Sequence, residues 1–322
     1  MEPVVISVFG GEVTLYGILA VVIALSACAV SEAVFARRGL PRGYGLKASL
    51  FSALLGLIAG RGLYCALQAE RIFYDPMGKF LGARPFFDLR YGSVNVIGVL
   101  FGCFLALWLF ARLNRVSLSR SLEAAVFPGL FCFAALRFIE PLSGQGYGPM
   151  LRSGFLSRVP FGIPGWDEWS LSVCFFEGLL LTVLAFVLLR VRARVRFARH
   201  SSLFILAAVW AALSQIIPES LRQDDALRVF VFARVDQMGF VLIWLLCGIY
   251  LWCADKSTRS GGAVIAREAA VHLIGILILI AAEFTLDKTD WSKYLIYGAM
   301  ALTLITIGAT LSRAVIRVDR TV

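Results

Sequence analysis

Long apolar runs constrain this chain more than any other feature. Runs of roughly twenty apolar residues recur along its whole length, and a helix of that length crosses the hydrocarbon core of a bilayer. Membrane-spanning strands would instead show short segments of alternating polarity, which the sequence lacks. We therefore predict an all-α polytopic membrane protein. Its nine predicted spans are 13–31, 48–67, 93–111, 122–139, 171–189, 202–217, 237–253, 269–286 and 294–312.

The charge distribution predicts how these spans are oriented. Only 16% of the residues are charged, yet the formal net charge is +10. Lys and Arg collect in every second connection, most densely at 190–199, and in the C-terminal tail. Because basic connections stay in the cytoplasm, we predict an external N-terminus and a cytoplasmic C-terminus. The charge is thus mainly a topology signal, and we expect no nucleic-acid partner.

The chain divides into a core and a C-terminal addition. We predict a transmembrane core at 1–255, a cytoplasmic linker rich in Ser, Gly and charge at 256–267, and a helical hairpin with a basic tail at 268–322. Symmetric broken helices in two halves, typical of transporters, are not found. The seven cysteines are scattered without a C-x-x-C pair, so we expect neither metal nor any other cofactor.

Two of the predicted external segments are distinctive. Residues 68–92 are rich in Phe and Tyr, which favours an element in the membrane interface. Residues 140–170 are rich in Gly and Pro, which favours an ordered loop rather than a helix. A region that handles substrate outside the membrane would be built from these two segments.

Polar residues within or beside the spans are the next clue. A charge at the bilayer centre costs about 2.5–3.5 kcal/mol, so such residues often serve function, although a purely structural ion pair between helices is the alternative. Arg61 follows Gly56 and Gly60, which have no side chain and therefore allow two helices to pack closely. The full set is Arg61, Asn95, Arg137, Glu140, Glu177, Gln215, His272 and Glu283.

Six short motifs occur in one order along residues 13–253. They are Leu15-Tyr16-Gly17; Gly60-Arg61-Gly62-Leu63-Tyr64; Arg137-Phe138-Ile139-Glu140 with Ser143-Gly144-Gln145; Phe176-Glu177; Glu219 to Ala226 around Arg222; and Met238-Gly239. In order and spacing they resemble the motifs of the prolipoprotein diacylglyceryl transferases. That resemblance implies a seven-span enzyme of the bacterial inner membrane with an external N-terminus. It also implies transfer of the diacylglyceryl group of phosphatidylglycerol to a cysteine thiol of a prolipoprotein signal peptide, or of another acceptor.

The chain departs from the family pattern at several polar positions. The family's histidine on the third span falls near Val96-Ile97-Gly98. His200 and His272 do not replace it, because the first lies in a predicted cytoplasmic connection and the second in the C-terminal hairpin. Glu140 and Ser143 stand where the family has asparagines, Gln145 where it has a glutamate, and Gln215 where it has an arginine. A catalytically inactive paralogue that binds phospholipid or a protein partner is therefore the alternative hypothesis.

The resemblance implies a set of site residues. Arg137 and Arg222 are the candidates for holding the lipid phosphate, and Glu140 or Glu177 is the candidate base in place of the histidine. Glu219 either joins them or forms a helix-surface ion pair with Arg222. Tyr16 either binds the headgroup or anchors the helix in the interface. The predicted catalytic residues are Arg137, Glu140, Glu177 and Glu219, and the predicted substrate-binding residues are Tyr16, Arg61, Ser143, Gly144, Gln145 and Arg222.

Overall fold

The fold is almost entirely helical. The computed structural model describes residues 4–8, 11–75, 77–88, 93–151, 154–164, 168–195, 197, 201–224, 234–256, 262–289 and 291–320. The helices are α1 (Leu15–Arg37), α2 (Tyr44–Leu67), α3 (Ala69–Phe73), α4 (Arg84–Phe87), α5 (Val96–Leu113), α6 (Leu118–Ile139), α7 (Val173–Arg194), α8 (Ser202–Leu221), α9 (Val235–Lys256), α10 (Gly262–Lys288) and α11 (Lys293–Asp319). Among the described residues, nine of them are long and apolar enough to cross a membrane. The predicted fold class and its nine spans are confirmed.

Several helices extend beyond their predicted spans. The largest difference is α10, which begins at Gly262, inside the predicted linker. Hydropathy marks only the part of a helix that matches the bilayer, whereas backbone hydrogen bonding continues through the charged residues that flank it. Residues 257–261 of the linker lie outside the described part of the chain, and the domain division stays a prediction.

The chain forms two compact units. One comprises Ala24–Pro128, and the other comprises Met1–Ile23 with Gly129–Val322. In the first unit, α2 and α5 pack closely through glycines. A Cβ on Gly102 would lie 2.5 Å from the carbonyl oxygen of Leu55, and one on Gly98 would lie 2.7 Å from that of Ala59. The small residues noted in the sequence therefore let these two backbones approach each other.

In the second unit α8 has a central place. It packs against α7 and α9, and α11 packs against α8, α9 and α10. Gly308 of α11 lies on the ring of Trp210, since a Cβ there would stand 2.7 Å from the ring. The unit also contains the N-terminal hairpin of β1 (Val4–Val8) and β2 (Gly11–Thr14), which the hydropathy pattern did not predict.

The segment between α6 and α7 differs from the loop predicted for it. A 3-10 helix, Glu140–Ser143, continues directly from α6. A three-stranded antiparallel sheet in the order β3-β5-β4 follows. The strands are only three to five residues long, and two of them contain both Gly and Pro, so they lack the extended alternation by which strands are found in a sequence. They are β3 (Tyr147–Leu151), β4 (Gly162–Pro164) and β5 (Trp169–Ser172).

Candidate functional site

The helix ends at one side of the second unit bring charged residues together. Arg137 lies in the last turn of α6 and Glu140 in the 3-10 helix that follows. Glu177 lies in the second turn of α7, and Glu219 lies near the end of α8. Because α7 runs back from the end of α6, its first turns lie beside the last turns of α6 and α8. This topology accounts for the convergence of residues that are distant in sequence.

Arg137 uses all three nitrogens of its guanidinium group on carboxylates. Its Nη1 lies 2.8 Å from Oε2 of Glu140, and its Nε lies 3.0 Å from Oε2 of Glu177. Its Nη2 lies 3.1 Å from Oε1 of Glu219. The guanidinium carbon stands 5.3 Å from the centre of the Phe133 ring. Arg137 is 4% exposed, so three helices are tied together by one buried cation.

Arg222, just past the end of α8, contacts the same carboxylates. Its Nη2 contacts Oε1 of Glu140, and its Nη1 lies 3.3 Å from Oε2 of Glu177. Its Nε and Nη2 lie 3.0 and 2.8 Å from Oδ2 of Asp224. Oxygen Oε2 of Glu177 thus lies between two arginines, and Glu140 offers one oxygen to each arginine.

Asp224 and Arg234 extend the cluster. Oδ2 of Asp224 accepts a hydrogen bond of 2.9 Å from the backbone N–H of Gly146, and Oδ1 accepts one of 2.9 Å from Nη1 of Arg234. Nη2 of Arg234 also donates to the carbonyl oxygen of Arg222. The backbone N–H of Gln223 donates to the carbonyl of Tyr147 at 2.9 Å. These bonds attach the segment after α8 to β3 and to the start of α9.

The electrostatics of this outer part hold Arg222 and Asp224 in their charged forms. Burial alone would raise the pKa of Asp224, but the charge and hydrogen bonds of Arg222, with those of Gly146 and Arg234, hold the pKa below its usual range. Burial alone would lower the pKa of Arg222, but the surrounding carboxylates raise it.

We refer to Arg137, Glu140, Glu177, Glu219, Arg222, Asp224 and Arg234 as the arginine–carboxylate cluster. Six of the seven are buried, and Asp224 is a residue of intermediate exposure whose side chain is only 6% exposed. The cluster contains three guanidinium groups and four carboxylates, so the arginines are fully balanced by negative charge. Removal of one partner from such a group leaves an uncompensated buried charge, which costs about 3–5 kcal/mol. An anion that enters the cluster must therefore displace a carboxylate from the guanidinium N–H groups.

Glu177 has one oxygen that the cluster does not use. Its side chain is fully buried, and both arginines contact Oε2. Its Oε1 has no hydrogen-bond partner among the described residues. Glu140 differs, because each of its oxygens faces an arginine. Glu177 therefore has a lone pair available to accept a proton while it stays bound to both cations.

Three predicted binding residues form the turn beside the cluster. The hydroxyl of Ser143 donates to the carbonyl of Glu140 at 2.7 Å. Gly144 has a φ of 70° and is exposed, as is Gln145. Gly146, which follows, has a φ of 80°, and a Cβ there would lie 2.6 Å from Cys174. The glycines thus turn the chain tightly enough to bring the backbone N–H of Gly146 to Asp224.

Arg61 belongs to the other unit and has different partners. It is buried and donates to four backbone carbonyls. The acceptors are Pro85 at 2.6 Å, Ser93 at 2.8 Å, Phe86 at 3.0 Å and Asp88 at 3.1 Å. Tyr16 lies in the first turn of α1 at intermediate exposure. The substrate-binding role assigned to both residues stays a prediction.

Other polar residues singled out in the sequence are placed as follows. Gln215 is buried in α8, where its Nε2 donates to the hydroxyl of Ser214 at 3.2 Å. His272 of α10 lies with its ring centre 5.1 Å from that of Trp252 and 6.4 Å from that of Trp244. His200, Asp225 and Ala226 lie outside the described residues.

Sequence reasoning did not assign Asp224 and Arg234 to the site. Asp224 stands in a quoted motif two residues after Arg222, so the spacing offered a signal. Arg234 lies three residues before the predicted seventh span, where a cation is ordinary in a connecting loop. Only the folded chain brings its guanidinium group to Asp224 and to the backbone of Arg222.

Comparisons with known proteins show the family to which the chain is similar. The family model described as "Prolipoprotein diacylglyceryl transferase" matches residues 3–254. Three relatives are named phosphatidylglycerol–prolipoprotein diacylglyceryl transferase. The relative from Chlorobaculum tepidum is 25% identical over 276 residues, 81% of this chain and 92% of its own. The relative from Listeria welshimeri is 23% identical over 267 residues, which are 78% of this chain and 90% of the relative. The relative from Lysinibacillus sphaericus is 20% identical over 222 residues, which are 65% of this chain and 77% of the relative.

Proposed function

Because the chain belongs to the prolipoprotein diacylglyceryl transferase family, we propose that the arginine–carboxylate cluster is the active site of such a transferase. The substrates would be the two that the relatives' names carry, phosphatidylglycerol and a prolipoprotein. The observation that supports this most is the convergence of Arg137 and Arg222 on shared buried carboxylates. Such an arrangement provides both an anion-binding group and a base.

The reaction needs both kinds of group. The cysteine sulfur attacks the terminal glyceryl carbon of the diacylglyceryl group, a C–S bond forms, and the C–O bond to the phosphate breaks. Glycerol phosphate leaves with the electron pair of that bond. The thiol proton passes to a base, because the thiolate is the effective nucleophile. The protein must therefore stabilise a leaving phosphate and accept one proton.

Arg137 and Arg222 would bind the phosphate. A guanidinium group presents donors in a fixed fork that fits phosphate oxygens, and the interaction is strong where water is excluded. Every described contact of the Arg137 guanidinium nitrogens with a charged group is to a carboxylate. Phosphate binding is then an exchange, in which a glutamate such as Glu219 releases its donor to the substrate. The donors are already oriented before the lipid arrives, which reduces the cost of reorganisation.

Glu177 would be the base. The family's histidine position is filled by Val96-Ile97-Gly98, so a carboxylate must take its place. Glu177 keeps Oε1 without a described hydrogen-bond partner, whereas both oxygens of Glu140 face arginines. A thiol that reaches Oε1 can transfer its proton while Oε2 remains bound to the arginines. Glu140 would then orient Arg137 and Arg222.

We also propose the orientation given by the basic connections. An external N-terminus brings the end of α6, the start of α7 and the end of α8 to the outer side of the bacterial inner membrane. The cluster would lie there, where exported prolipoproteins meet phosphatidylglycerol of the outer leaflet. Helices α10 and α11 would form the C-terminal domain that follows the core.

The test is a transfer assay with the purified protein in detergent. Labelled phosphatidylglycerol and a signal-peptide analogue with one cysteine are the substrates, and glycerol phosphate release and peptide mobility are followed together. Equal amounts of released glycerol phosphate and lipidated peptide are expected, and a peptide with Ser in place of Cys should not react. Release with the Ser peptide at the same rate would indicate hydrolysis rather than transfer. No release with either peptide, from protein that still binds the lipid, would support the inactive paralogue instead.

A further inference from the structure

Helices α10 and α11 lie beyond the residues that match the family, which end at 254. Nothing in the family match therefore assigns them a role. Within the second unit, however, α10 brings one carboxylate to the two segments that border the cluster. That carboxylate belongs to Glu283, near the C-terminal end of α10.

Glu283 joins the end of α8 to the start of α9. Its Oε2 accepts a hydrogen bond from the hydroxyl of Ser220 at 3.2 Å, and its Oε1 accepts one from Nε2 of Gln237 at 2.6 Å. Ser220 lies between Glu219 and Arg222 in sequence, and Gln237 lies one helical turn after Arg234. Each residue bound by Glu283 is thus attached, through a short piece of backbone, to members of the cluster.

Other side-chain contacts attach the hairpin to the rest of the second unit. In the middle of α11, Nε1 of Trp210 donates to the hydroxyl of Ser312 at 3.0 Å. At the opposite end from Glu283, Arg317 contacts Glu268 and lies 3.3 Å from Oδ2 of Asp255. These contacts and the packing of α10 on α11 restrict where Glu283 can lie, as a positioning group requires.

We propose that Glu283 is a positioning residue that holds the segments carrying Glu219, Arg222 and Arg234 in register for transfer. This role rests on the function proposed above. Glu283 acts through Ser220 and Gln237 and does not touch substrate. Its oxygens serve as hydrogen-bond acceptors, so the role depends on hydrogen bonds and not on the negative charge.

The conservative variant separates these two possibilities. In Glu283→Gln, the remaining carbonyl oxygen accepts from Gln237, and the new amide donates to the hydroxyl of Ser220, which can also accept. We expect kcat within about threefold of the unchanged protein. In Glu283→Ala both partners lose their acceptor, and kcat should fall by about tenfold to a hundredfold, because small displacements of aligned groups have effects of that size. The KM for phosphatidylglycerol should change by less than about threefold.

Ser312→Ala is the matched control, because it removes a hydrogen bond of the same hairpin that involves neither the end of α8 nor the start of α9. It should leave kcat unchanged. Hydrogen exchange supplies a readout that does not depend on activity: Glu283→Ala should accelerate exchange in peptides covering 216–224 and 234–240, and Ser312→Ala should not. If Glu283→Gln loses as much kcat as Glu283→Ala, the charge is essential and the positioning role is wrong.

The exchange data also keep this role separate from the proposed function. If the unchanged protein shows no transfer, the transferase proposal fails, and local exchange alone decides whether Glu283 orders these segments. If transfer is present but Glu283→Ala alters neither kcat nor exchange, the positioning role fails and the transferase proposal stands. A Glu283→Ala variant that does not fold is replaced by Gln237→Ala, which removes one of the two bonds and should lower kcat less.

Discussion

Arg61 and Arg137 are both buried arginines of membrane-spanning helices, yet their surroundings differ completely. The guanidinium group of Arg61 donates to four backbone carbonyls, which are neutral dipoles. That of Arg137 lies among the carboxylates of Glu140, Glu177 and Glu219. A cation held by carbonyls stabilises a loop. None of those four contacts brings a negative charge to it. A cation held by carboxylates can exchange one anion for another, which is what phosphate binding requires.

The largest expected effect comes from Arg137. Arg137→Ala should lower the rate of transfer by about a hundredfold to a thousandfold, because a donor to the leaving phosphate is lost from a buried site. The measurement is kcat for glycerol phosphate release. Arg190→Ala, a change of an exposed arginine on α7, is the control and should retain full activity. Equal activity of both variants would contradict a role of Arg137 in the chemistry.

The second effect distinguishes Glu177 from Glu140. Glu177→Gln replaces the basic carboxylate with a neutral amide, whose oxygen is too weakly basic to take the thiol proton, so kcat should fall by about a hundredfold. Glu140→Gln keeps an acceptor for one arginine and should lower kcat by only about tenfold. Both variants are compared in the same transfer assay at saturating lipid. A larger loss in Glu140→Gln would exchange the roles that we propose for these two glutamates.

For Arg61 the principal effect should be on stability. Arg61→Ala leaves carbonyls of the segment 85–93 without their donor, and a buried unpaired polar group costs about 1–3 kcal/mol. We expect a lower thermal midpoint in detergent, with kcat of the folded protein changed by less than about threefold. Arg84→Ala, at an exposed position of α4, should leave the midpoint unchanged. A higher KM for the lipid without loss of stability would instead support the substrate-binding role predicted from the sequence.

The smallest effect concerns acid stability and Asp224. The pKa of Asp224 is lower in the folded protein than its ordinary value, so the group stabilises the fold above the unfolded-state pKa of about 3.9. That contribution is lost as the pH falls through the folded-state pKa. The stability difference between the unchanged protein and Asp224→Asn should therefore be constant from pH 7 to about pH 5 and shrink below about pH 4. Thermal unfolding across this range measures it, and a difference that grows toward low pH would be the wrong sign.

The membrane spans and part of the site could be predicted from the sequence. The spans were predictable because membrane helices need long apolar runs, and Arg137, Glu177 and Arg61 were noticed because charge is rare in such runs. Their partners were not predictable in this way. Whether a buried arginine meets carbonyls or carboxylates depends on which helix ends lie side by side, and this is a tertiary property.

Residues in connections were the hardest to assign. Arg234 lies among ordinary loop charges and gave no local signal for its contacts. Glu283, within the eighth predicted span, was noticed for its charge, but its partners could not be predicted. The short strands of the Gly-rich segment were missed for a related reason. Their pairing depends on β5, which lies some twenty residues after β3, and not on a local pattern.

We propose that this arginine–carboxylate cluster catalyses diacylglyceryl transfer without a histidine. The most direct measurement is the initial rate of glycerol phosphate release by the unchanged protein, Arg61→Ala and Arg137→Ala, with folding verified for each. We expect cysteine-dependent release by the first two proteins and almost none by the third. Release by Arg137→Ala at the rate of the unchanged protein, or by none of the three, would contradict it.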